Sequence, residues 1–336
     1  MYPGCACAAL FDPPPRAMAA GQPAGNAPNG FHWPDPETAV PPRDDGKVAH
    51  RQLLNELGLD GMIDAHSHWF PEPVMRKIWR YFDQHYWRIT YRQLTEGRLE
   101  WVRRNRIKRF TTLNYAHRPL MADWLNEWTA EFARKTPEAI AIGTFFHEPG
   151  VEQVVRRCIE EYRFKGFKLH LRVSDMDLTD RTLAPAFEQV EAAGLPVIVH
   201  AGSAPDPGRF TAPRFIRGLL DAFPRLKVVV AHMGAWDWEA YLSLAEQRET
   251  LYLDTTMVFV GFQAIDPMPE AMFSRLEGIS AKILFGSDFP NIPYPISHAV
   301  AGIGRLPLSK KAKRSILYEN AVRLFGLEAE EPIAAR

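Results

Sequence analysis

A single-domain (β/α)8 TIM barrel is the fold class this sequence predicts, and three observations predict it. Short apolar runs alternate with longer amphipathic stretches eight times from about residue 60 onward. Many of those runs are continuous in Val, Ile, Leu and Phe, as in parallel strands buried on both faces. The chain is 336 residues long and 46% hydrophobic, enough for one large core.

Taken in order, residues 1–45 come first. They hold ten of the 28 prolines, with Ala, Gly and Asn between them, and read as a disordered extension. The barrel is expected over residues 58–327, followed by a flexible tail, 328–336. Its strands are Met62–His68, Arg109–Tyr115, Ile140–Phe146, Gly166–Leu171, Pro196–His200, Leu226–His232, Leu251–Thr256 and Lys282–Gly286. Helical patterns lie between them, at Ala122 to Arg134, Val151 to Tyr162, Leu183 to Ala193, Pro213 to Phe223 and Trp238 to Arg248. Gly194 is placed to cap the third of these, and Pro224 to stop the fourth. A long aromatic and Arg-rich connection, about 69–106, is expected as a lid or subunit contact, possible in a homodimer. Ser309 to Leu327 reads as a terminal helix.

Composition excludes several classes. Forty Lys+Arg balance forty Asp+Glu, so no long-range field favours nucleic acid or an anionic membrane. No uncharged run approaches the roughly 18 residues of a membrane span, and the start lacks a secretory pattern. Three cysteines argue against a disulfide framework and suit a reducing cytoplasm.

The chemistry lies in the histidines. His66 and His68 sit two residues apart at the end of the first run, so a strand's period of two puts both on one face. Seven of the eleven histidines fall at or just past a strand's C-terminal end: His66, His68, His117, His147, His170, His200 and His232. Asp288 holds the equivalent place after the eighth run. In a (β/α)8 barrel those ends converge on one mouth, where the active site lies. Imidazoles and a carboxylate around a borderline divalent ion, with a position left open, make a catalytic zinc-type site. Such an ion activates water and polarises a carbonyl.

The ordered motifs Ile63-Asp64-Ala65-His66-Ser67-His68, Gly166-Phe167-Lys168-Leu169-His170 and Val197-Ile198-Val199-His200-Ala201-Gly202 are continued by three more. These are Val228-Val229-Val230-Ala231-His232-Met233-Gly234, Phe285-Gly286-Ser287-Asp288-Phe289-Pro290 and the Glu319-Asn320-Ala321 helix. Together they resemble the amidohydrolase superfamily, in particular the amidohydrolase-2 branch that includes aminocarboxymuconate-semialdehyde decarboxylase. The resemblance implies that His66, His68, His200 and Asp288 ligate one divalent ion, Zn2+ first, with Mn2+, Fe2+ or Co2+ as alternatives. It implies that His232 is a further catalytic histidine and that Asp288 also takes a proton from water. Lys168 stands where binuclear relatives carry a carboxylated, bridging lysine. The branch resembled is mononuclear, so a structural or substrate-facing role is expected of it.

His170 and Arg172 share the facing of Lys168 and are candidates for holding an anionic or carbonyl group. His147, Trp236 and Asn291 are candidate mouth residues on the following loops. The reading is a cytoplasmic, metal-dependent hydrolase of a small-molecule C–N, ester or lactone bond, working through activated water. The alternative within the same branch is a non-oxidative decarboxylase. A reading of another class is a catalytically inactive barrel acting as a binding protein.

Overall fold

The structure is a computed structural model, and it describes residues 47–262 and 266–328. The predicted extension 1–45, and the predicted tail apart from Glu328, lie outside the described residues. All eight expected strands are present, in parallel and in sequence order. They are β1 (Met62–Asp64), β2 (Ile107–Thr111), β3 (Ala139–Ile140), β4 (Phe167–His170), β5 (Pro196–His200), β6 (Lys227–Val230), β7 (Leu251–Asp254) and β8 (Ile283–Leu284). Ladders join β1-β2-β3 and β4-β5-β6-β7-β8. Backbone bonds join the edges of these two groups. Lys168 N donates to Gly143 O at 2.7 Å beside β4, and Ala65 N to Phe285 O at 2.8 Å between β1 and β8. The architecture is the (β/α)8 barrel.

The strands are apolar throughout because each face meets a different core. In β5, Val197 and Val199 pack outward with the helices, while Ile198 points inward. Ile198 joins Ile63, Ile140, Ile142, Val229 and Leu284 in a plug filling the barrel's interior. Ala321, Leu324 and Phe325 of the last helix pack against that plug. Ile198 is completely buried, and truncating such a residue costs about 2–5 kcal/mol. A filled floor leaves the mouth as the place for chemistry.

The helices follow the periodicity: Ala122–Lys135, Val151–Glu160, Ala184–Ala192, Pro213–Ala222 and Trp238–Gln247. Gly194 takes a left-handed φ of 66°, as the capping position requires. Two expectations need correction. The terminal helix is not uniform: a π-helical stretch, Ser315–Glu319, separates Lys310–Arg314 from Asn320–Phe325. There Arg314 reaches back to Leu57 O and Asn320 Nδ2 binds Ile283 O at 2.6 Å, tying the helix to the base of β8. Several strands are also shorter than their apolar runs, and β1 ends at Asp64.

The 69–106 connection forms two helices, Glu72–His85 and Thr95–Arg104. Arg98 joins them, entirely buried, bonded to Glu72 Oε1 at 2.6 Å and lying over the rings of Trp69 and Trp79. The unit is fastened to the loop after β8: Thr90 N donates to Ile292 O (3.0 Å) and Trp87 Nε1 to Asn291 O (2.8 Å). No described helix is long and apolar enough to cross a membrane.

Candidate metal centre

Because β1 ends at Asp64, strand periodicity is not what pairs His66 with His68. The chain bends immediately after the strand, and Asp64 shapes the bend. Its Oδ1 accepts from the backbone of His66 at 3.1 Å and of Ser287 at 3.0 Å, and its Oδ2 from the Ser287 hydroxyl. One carboxylate therefore splices the His66 segment to the segment bearing Asp288. Asp288 N then donates to His66 O at 2.9 Å, and His68 N to Phe289 O at 2.7 Å.

The result is a compact donor trio. His68 Nε2 lies 3.3 Å from His66 Nε2 and 2.9 Å from Asp288 Oδ1, and His66 Nε2 is 3.4 Å from the same oxygen. Ligands at about 2.1 Å from an ion in tetrahedral or octahedral geometry stand roughly 3.0–3.4 Å apart. Among the described residues, this buried trio has the ligand spacing of a metal site. The donor set fits a divalent ion.

The second nitrogen of each imidazole explains how the lone pairs are aimed. His68 Nδ1 faces Leu113 O at 2.8 Å, and His232 Nδ1 faces Thr256 O at 3.1 Å. A carbonyl only accepts, so each Nδ1 carries the hydrogen and each Nε2 keeps its lone pair. His66 Nδ1 faces Asp254 Oδ2 at 2.8 Å, with the same consequence. Burial holds His66 down to about 4. Burial likewise lowers His232 and takes His170 and His200 well below the ordinary range. Burial alone would raise Asp288, but bonding to His68 and the neighbouring imidazoles more than offsets it and holds the carboxyl low. Asp254 is held low in the same way, burial being outweighed by His66 and His232. At neutral pH His66, His170, His200 and His232 are neutral imidazoles beside the Asp254 and Asp288 carboxylates, an arrangement that suits a cation.

His200 reaches the same mouth by a different contact. It closes β5, its ring stacks on that of His170 (centroids 3.9 Å, 12°), and it meets His232 edge-on at 4.8 Å. It stands outside the trio of donors that lie within 4.8 Å of one another. His232 follows β6 and lies 5.1 Å from His66, ring to ring. Its backbone and that of Asp288 are left-handed (φ 55° and 66°), strained for non-glycine residues and common where geometry serves a site.

The other predicted residues divide. Lys168 is fully buried below His170, its Nζ without a hydrogen-bond partner among the described residues. Burial brings its pKa to about 8, against the pull of Asp254 and Asp288. Asn291 is buried next to the trio, its backbone N bonded to Asp288 O at 2.8 Å. Arg172 is committed elsewhere, its Nε on Asp206 Oδ2 at 2.9 Å. His147 stacks on Phe146 at 4.1 Å, and Trp236 stands 37% exposed.

Sequence reasoning passed over Asp254 and Tyr115. Asp254 is the last residue of β7, the same strand-end signal that singled out the histidines. Tyr115 ends the second predicted run, and its ring packs 4.8 Å from His170, 5.9 Å from His68 and 5.2 Å from Phe70.

The comparisons with known proteins agree with this geometry. The amidohydrolase family model, Amidohydro_2, matches residues 63–327. The chain belongs to the amidohydrolase family. It lies in the amidohydrolase-2 branch and is an enzyme of that metal-dependent type. No curated protein matches the sequence. Among solved structures, an uncharacterised TIM-barrel protein of Bordetella bronchiseptica is similar, with a TM-score of 0.63 at 22% identity. That match covers 79% of this chain and 98% of the other. The 5-carboxyvanillate decarboxylase LigW of Sphingomonas paucimobilis matches at 0.59 and 18%, over 80% of this chain and 100% of that one. A dihydroxybenzoic acid decarboxylase of Polaromonas sp. JS666, solved with manganese and the inhibitor 2-nitroresorcinol, also scores 0.59 at 18%. It covers 82% of this chain and 99% of its own.

Proposed function

We propose that this amidohydrolase-family enzyme is a non-oxidative, divalent-metal-dependent decarboxylase of small aromatic carboxylates. The observation that carries the reading is the metal-type trio at the foot of an aromatic wall, Tyr115 and Phe70, beside His68. The reading places a flat ring there with its carboxylate toward the trio. The two decarboxylases of similar fold, one holding manganese and a nitroresorcinol, support it. Hydrolysis, the first reading of the sequence, needs the same ligands.

We assign His66, His68 and Asp288 to a single ion, with His200 as fourth ligand. Zn2+ suits the three imidazoles, and Mn2+ is equally compatible with this nitrogen and oxygen set. When bound, the ion supplies a Lewis acid that orients the substrate's oxygens and stabilises negative charge as it develops. The C–CO2 bond breaks, CO2 leaves, and the electron pair stays on the ring carbon, where a C–H bond must form. Asp288, a carboxylate at rest, would deliver that proton after first receiving one. His232, neutral and with Nε2 open, returns a proton to it from water. Lys168 and His170 face the anionic end of the substrate. Asn291, His147, Trp236 and, once released from Asp206, Arg172 line its path. A cytoplasmic setting and a homodimer through the 69–106 unit are part of this reading, as is the absence of nucleic-acid and membrane partners.

The test is turnover of hydroxylated benzoates by protein loaded with Mn2+ or Zn2+, run in D2O and separately in H218O. The proposal expects CO2 and one deuterium at the vacated ring carbon. Product carrying 18O from opened lactones or amides, with no CO2, would establish the hydrolase instead.

A further inference from the structure

His66, His68 and His232 are aimed by three different acceptors, and only one of these is a charged side chain. Leu113 O serves His68 and Thr256 O serves His232, both backbone carbonyls that substitution cannot remove. Asp254 serves His66. Asp254 is entirely buried at the end of β7, with all its bonds made inside the site. Its Oδ2 takes the His66 Nδ1 hydrogen at 2.8 Å. Its Oδ1 accepts the backbone N–H of His232 at 2.9 Å and of Thr256 at 3.2 Å. One carboxylate thus grips a metal ligand by one oxygen and the left-handed backbone of the catalytic histidine by the other.

We propose that Asp254 is a positioning residue of this enzyme. It selects the Nδ1–H tautomer of His66, so that Nε2 presents its lone pair to the ion, and it anchors His232 at the same time. The inference rests on the reading of His66 as a metal ligand. A carboxylate can only accept, so the hydrogen of a neutral His66 must sit on Nδ1. Supporting carboxylates of this kind fix ring orientation and raise the basicity of a metal-binding imidazole.

Asp254→Asn separates the two duties. The amide oxygen can still accept from His232 and Thr256, whereas the amide nitrogen now meets His66 Nδ1 as a donor. His66 is then driven to the Nε2–H form, whose lone pair points away from the trio. Metal-stripped wild type, Asp254→Asn, Asp254→Glu and His66→Ala are titrated with Zn2+ and with Mn2+, and their metal-free melting temperatures are recorded. The ring nitrogens of His66 are followed by 15N NMR in the wild type and in Asp254→Asn. The expected result is a fall in metal affinity of about 10–100-fold for Asp254→Asn, partial recovery for Asp254→Glu, and a hydrogen moved from Nδ1 to Nε2. Wild-type affinity in Asp254→Asn while His66→Ala loses metal would overturn the role of Asp254 alone. Undiminished affinity in His66→Ala would overturn the metal-site reading beneath it. If Asp254→Asn does not fold, the wild-type tautomer still decides, since an Nε2–H ring in the metal-free protein contradicts the proposal.

Discussion

The two halves of the barrel mouth are built on opposite terms. On the side of β1, β7 and β8, the carboxylates and imidazoles around the trio have partners, and the buried atoms without one among the described residues include the neutral oxygens Thr256 Oγ1 and Asn291 Oδ1. Asp64 splices two segments, Asp254 holds His66 and His232, and His68 Nδ1 is bonded to Leu113 O. On the side of β4 and β5, Lys168 Nζ and His170 Nδ1 are buried with no hydrogen-bond partner among the described residues, and His170 stacks on His200. A buried polar group without a partner costs roughly 1–3 kcal/mol, so such groups persist where something else completes them. The saturated half is pre-organised for an ion. By the proposed reading, the other half receives a substrate that brings oxygens with it. Rigidity and vacancy of bonding are thus divided between two sets of strands within one site.

Breaking the saturated half should have the largest effect. Asp288→Asn is expected to lower kcat by about 10^2–10^4-fold, the scale of a lost proton-transfer group, while leaving residual metal by elemental analysis. His66→Ala should strip the ion more completely than the roughly 10–100-fold loss that removing a supporting partner brings. Full turnover in either variant would dissolve the distinction between the halves.

Next in size is removal of the ion itself. Chelation should lower the melting temperature, and Zn2+ or Mn2+ at a hundred times its dissociation constant should restore about 2.7 kcal/mol by mass action. A melting curve indifferent to metal would mean that the saturated half is complete without a cation.

Changes on the other half should read out differently. Lys168→Met and His170→Phe are expected to keep full metal content and to raise KM about tenfold, equivalent to about 1.4 kcal/mol of substrate binding. Metal loss in those variants would merge the two halves into one. The smallest effect is expected of Arg172→Ala, because its guanidinium is already held by Asp206 at the partly exposed rim. A KM change within about threefold, less than 1 kcal/mol, is consistent with that.

Much of the fold was legible before any coordinates. The Val197-Ile198-Val199 run announces a strand buried on both sides, and the structure divides it between two cores as such a run requires. Helix bounds such as Pro213–Ala222 follow from periodicity and the flanking prolines. The π-helical stretch at Ser315–Glu319 was not legible, because its cause is docking of Arg314 and Asn320 onto distant backbone. The His66–His68 pairing came out as expected for a reason that was wrong: a bend held by Asp64 makes it, and strand pleat does not.

By itself, the sequence determined the alternation of strands and helices, the strand ends at which histidines and Asp288 fall, and hence the membership of a metal-dependent family. Those properties are local, read from periodicity and residue type along the chain. Tertiary structure alone decided which strand-end groups meet. It set Asp254 against His66 across 188 positions, joined Arg172 to Asp206, and turned His200 onto His170 outside the donor trio. Hydrogen-bond partners and ion spacing depend on distances of about 3 Å between remote segments. No pattern along a single chain encodes those distances until the barrel has formed.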